Sequence, residues 1–114
     1  MPGTYEHPWE VTSEKVEAAV RTIIETSRPV KLILFGSYVR GETNLNSDLD
    51  VLVIAPDAID NPRKESVRIR RALRGISMPM DILVIPRSKW EDLKSVPGLV
   101  YREASMSGRV VYES

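Results

Sequence analysis

The chain has 114 residues, the size of one domain, enough for a modest core but not for a separate substrate domain. Sixteen basic and sixteen acidic residues cancel, so no overall field draws the protein to nucleic acid or an anionic membrane, and direct nucleic-acid binding is not expected. With 42% hydrophobic and 28% charged residues, no cysteine and no membrane-length apolar run, the expectation is one folded cytoplasmic domain over residues 1–114, without disulfides or thiolate metal sites.

Residues 1–11, with Pro2, Gly3 and Pro8, read as an irregular arm that Trp9 pins to the body. Thr12 is placed to cap a helix whose Val16, Ala19, Val20, Ile23 and Ile24 form one apolar stripe, ending before Pro29. Val30 to Phe35 and Asp48 to Ala55 are short runs rich in branched residues and read as strands. Pro62 suits the first turn of a second helix, with Ile69, Ala72, Leu73 and Ile76 as its core face. A third strand runs from Met80 to Ile85. Ser88 and Glu91 have capping-box spacing for another helix, Pro97-Gly98 breaks the pattern, a last helix ends near Gly108, and Arg109 to Tyr112 reads as a short fourth strand. The fold class is therefore α/β or α+β, a small mixed sheet of three or four strands packed by helices.

Two motifs carry chemistry. The first apolar run stops at Gly36-Ser37, where glycine lets backbone N–H groups approach a ligand and serine adds a hydroxyl, the outline of a phosphate cradle. Ten residues after Ser37, Asp48 and Asp50 open the second run. Side chains alternate along a strand, so the two share one face at a spacing of roughly 6.5–7 Å and can hold a divalent ion. In Met80-Asp81-Ile82 a third carboxylate stands among apolar neighbours, where burial without a partner would be costly. If its strand lies beside the second, Asp81 joins Asp48 and Asp50 around one cation. Oxygen-only donors favour Mg²⁺, or Mn²⁺, over zinc. No Gly-Lys-Ser/Thr follows Gly36, which excludes a P-loop.

Gly36-Ser37, ten residues, then Asp48-x-Asp50, with Arg40-Gly41 between and Asp81 beyond, resembles the minimal nucleotidyltransferase domain of the DNA polymerase β superfamily. The resemblance extends from about Thr12 to Tyr112, including the Arg102-Glu103-Ala104 and Gly108 to Tyr112 stretches. It implies that Asp48, Asp50 and Asp81 are the catalytic metal ligands and that Gly36, Ser37 and Arg40 contact the nucleotide. Asp81 would also accept the proton of an attacking hydroxyl. The implied reaction moves a nucleoside monophosphate, AMP from ATP, to a hydroxyl with Mg²⁺ as cofactor.

Stand-alone domains of this size resemble the antitoxin half of toxin–antitoxin pairs. Their partner is a small helical ribonuclease of the HEPN class, which the antitoxin can adenylylate. Two alternatives stay open: an antitoxin acting by binding alone, and an aminoglycoside-type nucleotidyltransferase, weakened because drug-modifying members usually carry an added helical domain.

Each motif also has a plainer reading. Gly-Ser after a strand is most often a turn, and Asp-x-Asp at a strand start is commonly solvated; the joint spacing with Asp81 is what raises the metal–nucleotide reading. Arg40 is equally suited to a phosphate and to a structural ion pair. His7 has no assigned role, and Trp9 and Trp90 read as packing anchors. Arg63, Lys64, Arg68, Arg70, Arg71 and Arg74 give the second helix a basic face with only Glu65 among them. Such faces are usually solvated; the competing readings are an acidic protein partner, which the neutral total favours, and a nucleic-acid acceptor.

Overall fold

The computed structural model describes residues 9–42 and 47–114. The arm at 1–8, including His7, lies outside them. Trp9 itself is about half exposed (48%).

Thr12 caps α1 (Ser13–Ser27), its Oγ1 accepting the Lys15 N–H at 3.2 Å. The stripe of Val16, Ala19 and Ile23 is buried, with Val20 and Ile24 packed partly against it. Arg28 turns the chain out of α1 in the left-handed region, at φ 49° and ψ 59°. Strand β1 is Lys31–Phe35; Val30 precedes it, although its N–H still bonds the Ile54 carbonyl at 2.8 Å. A single turn of helix, α2 (Ser37–Arg40), follows at once, and β2 (Leu49–Ala55) begins one residue after Asp48.

Helix α3 (Pro62–Ala72) starts from Asn61, whose Oδ1 accepts the N–H groups of Arg63 and Lys64. Ile69 and Leu73 are buried, but Ala72 is exposed, against expectation. The helix ends there, and beyond it Ile76 and Met78 complete the core from the loop. Strand β3 (Met80–Pro86) leads directly into α4 (Arg87–Leu93).

The expected capping box is not formed. The N-cap of α4 is Pro86, which has no side-chain acceptor, and the Ser88 N–H instead donates to Asp57 Oδ1 at 2.9 Å from the loop after β2, while Glu91 pairs with Lys94. Pro86 occupies the position a serine would need, so the cap comes from 31 residues away. Helix α5 (Val100–Ser107) and β4 (Arg109–Glu113) close the chain.

The four strands form one mixed sheet in the order β3-β2-β1-β4. Strands β1/β2 and β1/β4 are antiparallel, and β2/β3 is parallel. Alternation along the strands divides the core into two layers. Leu32, Leu34, Leu49, Val51 and Val53 pack with Ile69 and Leu73 of α3 and the α1 stripe. Ile33, Phe35, Leu52 and Ile54 pack with Ile85, Trp90 and Ala104 under α4 and α5. Trp90 is thus the packing anchor expected of it. Because β2 and β3 are parallel neighbours, their N-terminal ends lie together, and this is where the acidic residues of both strands meet.

Candidate active site

Parallel register sets Asp50 directly beside Asp81, and antiparallel register sets it beside Phe35. By strand alternation Asp50 and Asp81 both belong to the Phe35–Leu52–Ile54 face, the one covered by α4 and α5. Gly36, immediately after Phe35, has φ 78° and ψ −156°, a region open essentially to glycine alone. A Cβ there would overlap the Asp50 carboxylate and meet its Cγ at 3.1 Å. The chain can turn from β1 into α2 against this carboxylate only because residue 36 has no side chain. Ser37 starts α2, whose first N–H groups, as in any α-helix, lack acceptors within the helix.

Electrostatics follow from this crowding. Asp50 is held above the usual carboxylate range, first by partial burial and then by the charges of Asp81, Asp48 and Glu103, with Arg40 opposing them. Asp48 and Asp81 are exposed. This corrects the premise that the apolar neighbours of Asp81 bury it: β3 is an edge strand, and the Asp81 side chain, 54% exposed, points to solvent beside Arg70 Nη2 at 3.6 Å. Arg70 reaches round from the α3 layer and also bonds the Met80 carbonyl at 3.4 Å.

Arg40 takes the ion-pair option. Its Nε donates to Glu42 Oε1 at 2.8 Å and its Nη1 to Glu103 Oε2 at 3.3 Å. The carboxylate hydrogen bond raises the Arg40 pKa. Glu103, named in the sequence only within the closing Arg102-Glu103-Ala104 stretch and given no role there, joins the candidate site through Arg40 and its charge on Asp50. It stands 63 positions from Arg40, on α5, and no local pattern marks it; only the packing of α5 against β1 brings it to the other acids.

Among the described residues no three His, Cys, Asp or Glu side chains converge closely enough to hold a metal ion as they stand. The donor chemistry nevertheless fits a hard divalent cation. Asp50 and Asp81 are register partners whose mutual repulsion a cation would relieve, Asp48 lies just before β2, two residues from Asp50, and both nearby guanidinium groups are already engaged. The large cleft of about 600 Å³ lined by Val16, Val20, Leu34, Tyr38 and Val111 opens on the opposite face of the sheet and has no acidic cluster.

The fold has counterparts. Among solved structures, a toxin–antitoxin crystallised with AMP-PNP matches with a TM-score of 0.57 at 22% identity, covering 86% of this chain and 73% of the other. A mutant of the toxin–antitoxin MntA–HpeT matches at 0.54 and 21%, covering 91% and 75%. A nucleotidyltransferase, so described provisionally, from Sulfolobus solfataricus matches at 0.52 and 17%, covering 90% of each chain. At these identities the likeness is one of fold.

In sequence, the "Putative protein adenylyltransferase MJ0141" of Methanocaldococcus jannaschii is 38% identical over 56 residues, 49% of this chain and 54% of that protein. The match thus spans about half the length of that relative. The family model described as "Nucleotidyltransferase domain" matches residues 13–109, from the first residue of α1 to the first of β4, and so takes in the Gly36 turn and all three aspartates. The chain belongs to the nucleotidyltransferase domain family.

Proposed function

We propose that the protein transfers AMP from ATP to a hydroxyl of a partner protein, and that it does so as the antitoxin of a toxin–antitoxin pair whose toxin is a HEPN-type ribonuclease. The observation that carries this reading is the contact of the Gly36 turn with the Asp50 carboxylate, which itself lies in register with Asp81. A phosphate-accepting turn and a cation-accepting pair are thereby joined at one end of the sheet. Support for a protein acceptor comes from the adenylyltransferase named above, and for a toxin partner from the toxin–antitoxin structures that share the fold.

In this reading Asp48, Asp50 and Asp81 hold Mg²⁺ or Mn²⁺. When bound, the cation neutralises the nucleotide phosphates and the charge that develops on the leaving pyrophosphate. Gly36 and Ser37 orient the terminal phosphates for in-line departure. Asp81 accepts the proton of the attacking hydroxyl, a role its exposure permits, and Arg70 restrains the carboxylate meanwhile. Arg40 is tied by Glu42 and Glu103 and must exchange one of these partners to meet a phosphate.

A binding-only antitoxin is the second reading, and the lack of a preassembled three-carboxylate cluster among the described residues favours it. An aminoglycoside-type transferase gains no comparable support. The test is co-expression with the neighbouring gene product, comparing wild type with Asp81→Asn. Intact-mass spectrometry should show an added AMP on the partner with wild type. The variant should lose it, with a rate lower by about 10² to 10⁴, while the two proteins still co-purify. A variant that silences the partner with no added mass would establish neutralisation by contact instead.

A further inference from the structure

Helix α3 carries more positive charge than the fold uses. Ile69 and Leu73 are buried, and at about 100° per residue Arg63, Lys64, Val67 and Arg71 fall on the side away from them. Arg74 follows one turn later and is exposed as well. Two of the helix's cations have partners: Arg68 pairs with Glu65 at 3.0 Å and Arg70 with Asp81 at 3.6 Å. Among the described residues, Arg63, Lys64, Arg71 and Arg74 have no carboxylate partner. Val67, in the middle of this stripe, is 43% exposed. The stripe is not remote from the chemistry, because Arg70 ties its C-terminal half to Asp81 at the edge strand.

We infer that the outer face of α3 is the docking surface for an acidic, partly apolar segment of the acceptor protein, which brings the acceptor's hydroxyl to the Asp50–Asp81 end of the sheet. The inference rests on the transferase reading above and names the chemistry of its partner. Charge complementarity selects an anionic occupant. Two observations select protein over nucleic acid. An exposed valine amid the cations suits an apolar side chain rather than a phosphate, and Arg70 of the same helix sits 3.6 Å from Asp81, the register partner of Asp50, two carboxylates whose charges repel a phosphate backbone but can be bridged by a cation to one nucleotide. Sequence alone shows six cations on one helix; the structure separates the four unpaired ones from the two in use.

The probe is a fluorescein-labelled peptide of interleaved glutamate and leucine, with a labelled single-stranded RNA of mixed sequence as the competing arm, each followed by anisotropy at low and physiological salt. The full chain should bind the peptide with an affinity that falls as salt rises. The triple variant Arg63→Glu, Arg71→Glu, Arg74→Glu should lose at least about tenfold. Val67→Ser should weaken peptide binding without changing its salt dependence.

Tighter binding of the RNA would overturn the inference in favour of a nucleic-acid surface, and equal peptide binding by parent and triple variant would overturn it in favour of a solvated face. If the triple variant melts early by circular dichroism, the glutamine version of the same three positions replaces it, with the same expected loss. Binding of an Mn²⁺–triphosphate complex is measured in parallel on the parent. Its absence would sink the transferase reading and leave the docking result standing.

Discussion

The Asp50 carboxylate occupies the space that a side chain on Gly36 would fill, so the turn after β1 and the carboxylate of β2 are built as one unit. Two separate costs attach to any larger residue at position 36: the backbone conformation at φ 78° and ψ −156°, and the overlap with Asp50.

Gly36→Ala should therefore destabilise the protein by about 2 kcal/mol or more and abolish triphosphate binding. Gly41 supplies the control. It also has a positive φ, 75°, but among the described residues a Cβ there meets nothing within 4 Å, so Gly41→Ala should cost only about 1 kcal/mol and leave the site intact. Thermal melts and calorimetric titration of both variants check the contrast.

Asp50 should be a liability in the metal-free protein. Its raised pKa means that the folded state holds a proton more tightly than the unfolded chain, so stability falls as pH rises from the ordinary carboxylate range through the raised value, and the penalty is fully present above that value. Asp50→Asn should melt higher than wild type at pH 7, and the difference should shrink as pH is lowered into the carboxylate range. Mg²⁺ should raise the melting temperature of wild type and not of the variant. A variant that melts lower at every pH would show the carboxylate to be structural.

Arg28 pays for the exit from α1. At φ 49° a residue with a Cβ is strained, and no side-chain partner among the described residues offsets it. Arg28→Gly should raise stability by about 0.5–1 kcal/mol, read as a higher midpoint in urea with an unchanged slope.

The cap of α4 separates what is near in sequence from what is near in space. Asp57→Ala removes the acceptor of the Ser88 N–H and should cost about 0.5–2 kcal/mol, whereas Ser88→Ala, at the position where a capping box would act, should cost only a few tenths. Chemical denaturation of the two variants distinguishes them.

Local patterns were enough for α1 with its Thr12 cap, for the starts of α3 and β3, and for the family, because caps, proline positions and apolar periodicity act within a few residues. The same holds for the Gly36 turn and the Asp48–Asp50 spacing, which are properties of short segments. Tertiary structure decided the rest. That Asp81 stands beside Asp50 depends on β3 joining β2 in parallel register, and that it is exposed depends on β3 being an edge. Neither pairing partner nor edge position is written in the apolar run that surrounds Asp81. Glu103 reached the site, Arg40 found its ion pair and Asp57 displaced the Ser88 capping box through contacts between segments 31 to 63 residues apart. Charged and capping groups take whichever partner packing brings within hydrogen-bond distance, and only the folded chain sets that distance.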